Sequence, residues 1–492
     1  MDGFGDSLNA AEWVTSRLES EDVSHAEVGC VMKESTEGRV TLAELEPGTE
    51  HSQNAVWWRV FVEGSADYRF TTSLEESHLA DLVGRSIQSA RLLDQHTPAR
   101  YDQGTTHQAM HPGWSVGGSL GNRRPSEKLD IVHSAFRDAM DGLSLERARA
   151  SYHDARIQSA LLTTTGTTAR STLERASVEI VVDPTNAPKM QRHFGSTAGM
   201  SFLNTLEKQF EEVASHARKN AEARCLRTPP DIDSPTEIVF GPRAAAELFH
   251  EVCHYLEIDM KYFGSSPFAV GDRIGPRSLQ IEDGVCAGSW TARAFDAEGR
   301  TTTPVTLVSE GIVRNHLHDT ASAIEEETVP AGTVVPSLGY ERPPRIHSRH
   351  LSVTAGDTSR TSLRTGAAVR IESVESARLL NDATETKRQS SMPPSVQYAK
   401  DIAETTPSEF SDEATNQTLA FPIQIGYTID GAERAQPFTD GTVIVSLSDI
   451  QSISMLGSRR ETVTGTCTKH RSTVPYAITA PAIRLTARLS PE

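Results

Sequence analysis

The spacing of apolar residues changes period along the chain, and the changes mark its elements. Leu8, Ala11, Trp13, Val14 and Leu18 recur at helical spacing, as do Leu79, Leu82, Ile87 and Ala90. Helices are therefore expected over residues 7–20 and 74–93. Between them, residues 26–46 and 54–72 read as strands. Val56-Trp57-Trp58-Arg59-Val60-Phe61-Val62 and Tyr68-Arg69-Phe70-Thr71 predict a hairpin around Glu63-Gly64-Ser65-Ala66-Asp67. A loop rich in Gly, His and Pro follows over about 94–125. Ser126-Glu127-Lys128-Leu129 opens a third helix, to about Met140. Two strands, 151–164 and 168–183, join at Thr165-Gly166-Thr167. A long helix over 198–226 sets Phe202, Leu206, Phe210 and Val213 on one side.

The pattern then breaks. Arg227-Thr228-Pro229-Pro230-Asp231-Ile232-Asp233-Ser234-Pro235 is a Pro-rich linker. Thr236-Glu237-Ile238-Val239-Phe240 predicts a strand that leads into a helix over about 242–259. From about 264 onward, turn signals such as Asp283-Gly284, Glu298-Gly299, Glu310-Gly311 and Asp440-Gly441 separate short strands. Residues 375–415 are polar, and the pattern leaves open whether they are a loop, a helix or a lid. The fold class is thus α+β. An N-terminal α+β domain over 1–229 precedes a mostly antiparallel β domain over 236–492, which carries the one long helix of that half.

That helix holds the chemistry. Phe249-His250-Glu251-Val252-Cys253-His254-Tyr255-Leu256-Glu257 contains H-E-x-x-H. Residues four apart on a helix lie one above the other, so His250 and His254 can face one ion. Glu251, about 100° further round, can reach a water beside that ion without binding the ion itself. Pro242 suits the first turn, and the Ala-rich run 244–246 favours helix. Ala245, Leu248, Phe249, Val252 and Leu256 form a core stripe; Arg243, Glu247, His250, His254 and Glu257 form the opposite face. The competing reading is a surface helix with a solvated His/Glu face.

A net charge of −18 over 492 residues argues against nucleic acid or an anionic membrane surface as partner. The N-terminal stretch has neither the basic nor the apolar region of a signal peptide, and no apolar run reaches 18 residues. Five scattered Cys are no disulfide framework and suit a reducing cytoplasm. A catalytic zinc takes three protein ligands, so a third must join the His pair. Candidates are Glu257, Cys253, Cys467 and a group of His316, His318, His347 and His350. Cys467, in Gly465-Thr466-Cys467-Thr468-Lys469-His470, has the basic neighbourhood that favours a thiolate.

Several blocks, in order, resemble the TldD/PmbA family of metalloproteases, also called modulators of DNA gyrase. They are the motif helix, Gly264-Ser265-Ser266-Pro267-Phe268, Gly271-Asp272-Arg273-Ile274-Gly275, Glu282-Asp283-Gly284, Asp296-Ala297-Glu298-Gly299, Glu310-Gly311-Ile312-Val313, Pro344-Arg345-Ile346, Gln451-Ser452-Ile453-Ser454-Met455-Leu456-Gly457, the Cys467 segment and Val474-Pro475. The resemblance implies a zinc peptidase with His250, His254 and Cys467 as ligands and Glu251 as the catalytic carboxylate. It implies an extended peptide as substrate, such as a leader or modified peptide, taken in by strand addition. It also implies a dimer, either a homodimer or a heterodimer with a TldE/PmbA-like subunit. PmbA/TldE-type partners lack the His pair, so this chain resembles the active subunit. The family motif has one more residue between its two His. Near these blocks, His318, His347, His350 and Tyr340 are candidates for oxyanion stabilisation, though any one of them reads more readily as an ordinary surface or core polar residue. The alternative functions are an amide-hydrolysing tailoring enzyme and a non-catalytic zinc-holding assembly subunit.

Overall fold

The computed structural model describes residues 3–63, 65–92, 106–110, 118–222, 226, 228–230, 235–262, 266–375, 377–379, 417–429 and 436–490. Most of the polar 375–415 segment, and parts of the 94–125 loop and the Pro-rich linker, lie outside the described residues. The chain has an α+β fold built on two large sheets.

Among the described residues the first sheet has seven strands: β1 (His25–Thr41), β2 (Thr49–Val62), β3 (Ser65–Thr71), β4 (Thr106–Met110), β5 (Leu145–Thr163), β6 (Thr168–Pro184) and β7 (Met190–Ser196). Their order is β3-β2-β1-β5-β6-β4, and β7 also pairs with β6. The hairpin expected from residues 56–71 is β2–β3, with Val56 opposite Thr71. Two strands escaped the sequence reading: β4, within the Gly- and His-rich loop, and the short β7.

Side chains alternate between the two faces of a strand. Even-numbered positions of this sheet, such as Val28, Trp58, Val60, Tyr152, Val178 and Ile180, are buried under helices. Helices α1 (Gly3–Glu19) and α2 (Glu76–Leu92) cover one end of that face. Helices α3 (Pro125–Met140) and α5 (Leu206–Ala221), with the short α4 (Met200–Leu203), cover the other. The helix expected over 198–226 is thus broken after Leu203, where Asn204 and Thr205 close a turn. Odd-numbered positions, including Trp57 and Leu161, join the core of the second half of the chain.

Among the described residues the second sheet has twelve strands. The hairpin of Met455–Lys469 and Ser472–Ser490 runs through it. Ser472–Ser490 also pairs in parallel with His350–Val353 and antiparallel with β8 (Thr236–Phe240). Directly after β8, Gly241 caps α6 (Pro242–His254), which packs against the hairpin. The helix is shorter than the 242–259 expected. Its last turn tightens, with the N–H groups of Tyr255 and Leu256 reaching back three residues, and Ile258 N–H turns to Leu317 O. A short helix, Ile258–Tyr262, follows.

Candidate metal centre

The apolar stripe of α6 is fully buried: Ala245, Leu248, Phe249, Val252 and Cys253 have no exposed surface. Its His/Glu face is covered as well, so the solvated-helix reading does not hold. His250 is 4% exposed and Glu257 0%. The cover comes from the Met455–Lys469/Ser472–Ser490 hairpin and from the segment that leads into strand His350–Val353.

That packing brings four donors together. One ligand atom each from His250, His254, His347 and Cys467 lies within 4.8 Å of all the others. Donors around one tetrahedral zinc sit about 3.3–3.8 Å apart, given bonds of ~2.0–2.3 Å. The set therefore needs shifts of roughly 1–1.5 Å to close on an ion. Two ring nitrogens, His250 Nδ1 and His347 Nε2, are buried without a hydrogen-bond partner. Buried orphan acceptors are costly, and these two lie in a group that a cation would satisfy. Residues and metal fit.

Each donor is held by its element. His250 and His254 are one turn apart on α6, with ring centroids 4.6 Å apart. The ring of Tyr476, from Ser472–Ser490, stacks on His250 at 4.2 Å. Cys467 sits on the strand itself, and the turn is His470-Arg471, both at positive φ as a two-residue hairpin requires. His347 arrives from a distant segment fixed on both sides. Its N–H donates to Thr333 O, and its Nδ1 meets Ser348 O at 2.6 Å. Two residues on, Arg349 is locked to Asp283, its Nε 2.7 Å from Oδ2.

Behind the donors lies a ring of charge. Glu257 Oε2 meets His254 Nδ1 at 3.0 Å, and its Oε1 accepts the Ser348 N–H. Lys469 Nζ bridges Glu257 at 2.5 Å, Asp259 at 2.8 Å and Ile346 O at 3.0 Å. Burial alone would raise the Glu257 carboxyl; the charges of Lys469 and His254 outweigh it and hold Glu257 well below the usual carboxylate range. Burial likewise pushes the Cys467 thiol up, but the imidazoles of His250, His254 and His347 around the sulfur win and bring it to about 3. Cys467 is therefore a thiolate at neutral pH, the form that binds metal. His254 Nε2 stands 3.5 Å from its sulfur. A carboxylate behind a ligating imidazole fixes its tautomer and orientation.

The other candidates fall elsewhere. Cys253 is buried in the core on the far side of α6, and burial raises its thiol well above the ordinary value. Glu257 supports His254 from behind, through Nδ1. His350 bridges Ser289 and Thr479, His316 meets Phe268 O, and His318 meets Ser322. Tyr340 packs at the inner face of the first sheet. Glu251 is half-buried and makes no hydrogen bond or ion pair among the described residues. Sequence reasoning missed Tyr476 and Asp259. Tyr476 follows directly on the Val474-Pro475 block, which was its one signal.

Residues 233–386 match the family model of the PmbA/TldA metallopeptidase C-terminal domain. That span includes His250, Glu251, His254 and His347; Cys467 lies beyond it. The metalloprotease MJ0996 of Methanocaldococcus jannaschii is 20% identical over 285 residues, which are 56% of this chain and 62% of that protein. The match thus spans less than two thirds of that relative's length. The fold is similar to that of TM0727 from Thermotoga maritima, described as a modulator of a DNA gyrase, with a TM-score of 0.71 at 14% identity over 98% of this chain and 99% of that one. It is also similar to TldE from Thermococcus kodakarensis, with a TM-score of 0.67 at 14% identity over 98% and 100%. Residues 233–386 thus match a PmbA/TldD-family domain, and the whole chain shares the fold of these structures.

Proposed function

We propose that this chain is a zinc-dependent peptidase acting on extended, unstructured peptides. The observation that carries the reading is the free carboxylate of Glu251 beside the four-donor cluster, on the helix that supplies two of the donors. His250, His254 and Cys467 would hold the ion, with His347 as a further donor. Imidazoles with a thiolate suit zinc among the common divalent ions. Bound there, zinc supplies Lewis acidity and makes water ionisable near neutral pH. Glu251 accepts a proton from water and passes it to the leaving amine. Glu257 keeps His254 in the tautomer that offers Nε2 to the cluster. Among the described residues, strand Met455–Lys469 pairs with Ser472–Ser490 and bridges Thr358 at Gly457, and Trp290 takes up Gly465 O; no strand pairs with its other edge at Cys467 itself, where an extended peptide would add. The likeness to TldE supports a dimer, homomeric or with a TldE/PmbA-like subunit, as part of this reading.

The testing experiment is Glu251→Gln, with metal content and cleavage of unstructured peptides measured together. Retained zinc with turnover down at least about 100-fold is expected, the scale of a lost general base. Normal cleavage by that variant would sink the assignment.

One observation favours the assembly-subunit alternative. Four protein donors close a tetrahedral zinc and leave no open position. Cobalt substitution separates the two readings. A spectrum that shifts when a small anionic inhibitor is added means an open position and a catalytic metal. A spectrum unmoved in wild type but responsive in His347→Ala means a closed, structural one.

A further inference from the structure

We infer that Arg175 and Arg293 form a binding site for one small oxyanion, a carboxylate or a phosphate, in a pocket between the inner face of the first sheet and the second half of the chain. The pocket holds about 70 Å³ and is lined by Arg175, Arg293, Tyr340, Ser159, Ser171 and Ser337, with apolar walls that include Trp57 and Leu338. That is roughly half the ~150 Å³ that admits a benzene ring, enough for a carboxylate or phosphate group and too little for a peptide.

The two arginines are what make this a site. Arg175 stands at an odd position of β6, on the face turned to the second half, and is 4% exposed. Its Nε and Nη2 are buried without a partner, as is Arg293 Nε. Neither guanidinium forms an ion pair among the described residues. Arg370 and Arg484 also have a bare Nε, but each is paired, with Glu372 and Glu237, and Arg364, which has no ion pair among the described residues, is only half-buried. A buried charge without a counter-ion is rare unless something supplies one. Asp296 lines the same pocket, but its oxygens accept the N–H groups of Glu298, Arg300 and Val334. Burial, with Arg293 nearby, lowers Arg175 to about 9, still a cation at neutral pH.

The surroundings hold that charge in place. The Arg175 guanidinium lies over the Trp290 ring at 5.0 Å, which fixes its plane. The neighbouring strand position, Glu174, points to the helix side and binds Ser119 and the Leu120 N–H, so it cannot neutralise Arg175. Tyr340, which closes the pocket, has φ +57°, an uncommon conformation for a bulky residue, and its carbonyl accepts the Tyr68 hydroxyl at 2.6 Å. Planar guanidinium groups match the fork of a carboxylate or phosphate. Trp290 also donates Nε1–H to Gly465 O at 2.9 Å, two residues from Cys467. Trp290 thus links Arg175 to the strand that carries the thiolate, and the anion site shares no donor with the metal cluster.

The test is calorimetric titration of the full chain with sodium acetate and, separately, with inorganic phosphate, at ionic strength held constant with chloride. Saturable binding of one anion per chain is expected. The arm that binds tighter identifies the natural group as carboxylate or phosphate. Arg175→Met and Arg293→Met should each weaken binding at least tenfold, with zinc content unchanged. The proposal is overturned if neither anion binds saturably to wild type, or if a folded variant binds as wild type does. If one variant fails to fold, the other locates the anion, and absence of saturable binding to wild type overturns the proposal by itself.

Discussion

Two buried polar clusters in this chain solve the same problem in opposite ways. Between the sheets, Arg59 from β2 donates Nε and Nη2 to Glu27 of β1, at 2.8 and 3.0 Å, and Nη2 to Glu298 of the second half, at 2.9 Å. The other oxygen of Glu298 accepts from the N–H and hydroxyl of Thr320, at 2.8 and 2.6 Å. Both carboxylates find their partners inside the chain. At the candidate metal centre the support is equally saturated, with Glu257 taken up by His254, Lys469 and Ser348. The donors in front of it are not: His250 Nδ1 and His347 Nε2 have no partner, and Cys467 carries a charge. Burial alone therefore does not distinguish a structural cluster from a functional one. What distinguishes them is whether the chain itself completes the set.

Breaking the structural cluster should cost the most. Arg59→Met leaves Glu27 and Glu298 buried without their cation, and removing one partner of a buried pair costs about 3–5 kcal/mol. Denaturant unfolding should show that loss, while metal bound per folded chain stays the same. A loss below about 1 kcal/mol would mean that the two halves do not depend on this bridge. Disturbing the support behind the metal donors should be milder in stability and plainer in affinity. Glu257→Gln keeps the shape but weakens the hold on His254 and leaves Lys469 paired with Asp259 alone. Metal affinity should fall about 10–100-fold, the usual scale for such supporting groups. An unchanged affinity in competition with a chelator would reduce Glu257 to a packing role.

The same contrast explains what the sequence made legible. The His pair is local: helix geometry alone sets His250 over His254, and the Ala-rich lead-in and Pro242 announce the helix. Cys467 carried a weaker signal, a lone Cys beside Gly and Lys. Spacing could not select among the candidates for the third donor, because His347 reaches the site across 93 residues through the anchoring of Arg349 on Asp283. The first sheet repeats the lesson. Alternation located its strands, but only the apolar even face announced that it would be covered. Glu27, Arg59 and Arg175 all stand on the odd face, which looks solvent-facing in the sequence. It is buried because the second half of the chain packs on it, and no local pattern reports that contact. β4 and β7 were lost for a related reason: each is short, and pairing with β6 rather than its own composition makes it a strand.

The smallest effect tests whether the structural cluster is as self-sufficient as the comparison requires. One guanidinium faces two carboxylates there, with Asp296 and Asp319 adding negative potential. Burial first, and then the charge of Glu27, push Glu298 up to about 8 against the pull of Arg59. The ordinary value is 4.5, so between about pH 4.5 and 8 the folded chain holds a proton that the unfolded chain has lost. Stability from this group is then fully present below the lower value and is lost as pH rises through the upper one. One proton limits the slope to about 1.4 kcal/mol per pH unit. Glu298→Gln cannot ionise and keeps an acceptor for Arg59 and Thr320. Unfolding free energies measured from pH 5 to 8 should therefore fall more steeply in wild type than in the variant, and the two curves should run parallel above about pH 8. Parallel curves throughout would mean that Glu298 is ionised across the range. The cluster would then carry an uncompensated charge, and it would stand with the metal centre as a set completed from outside the chain.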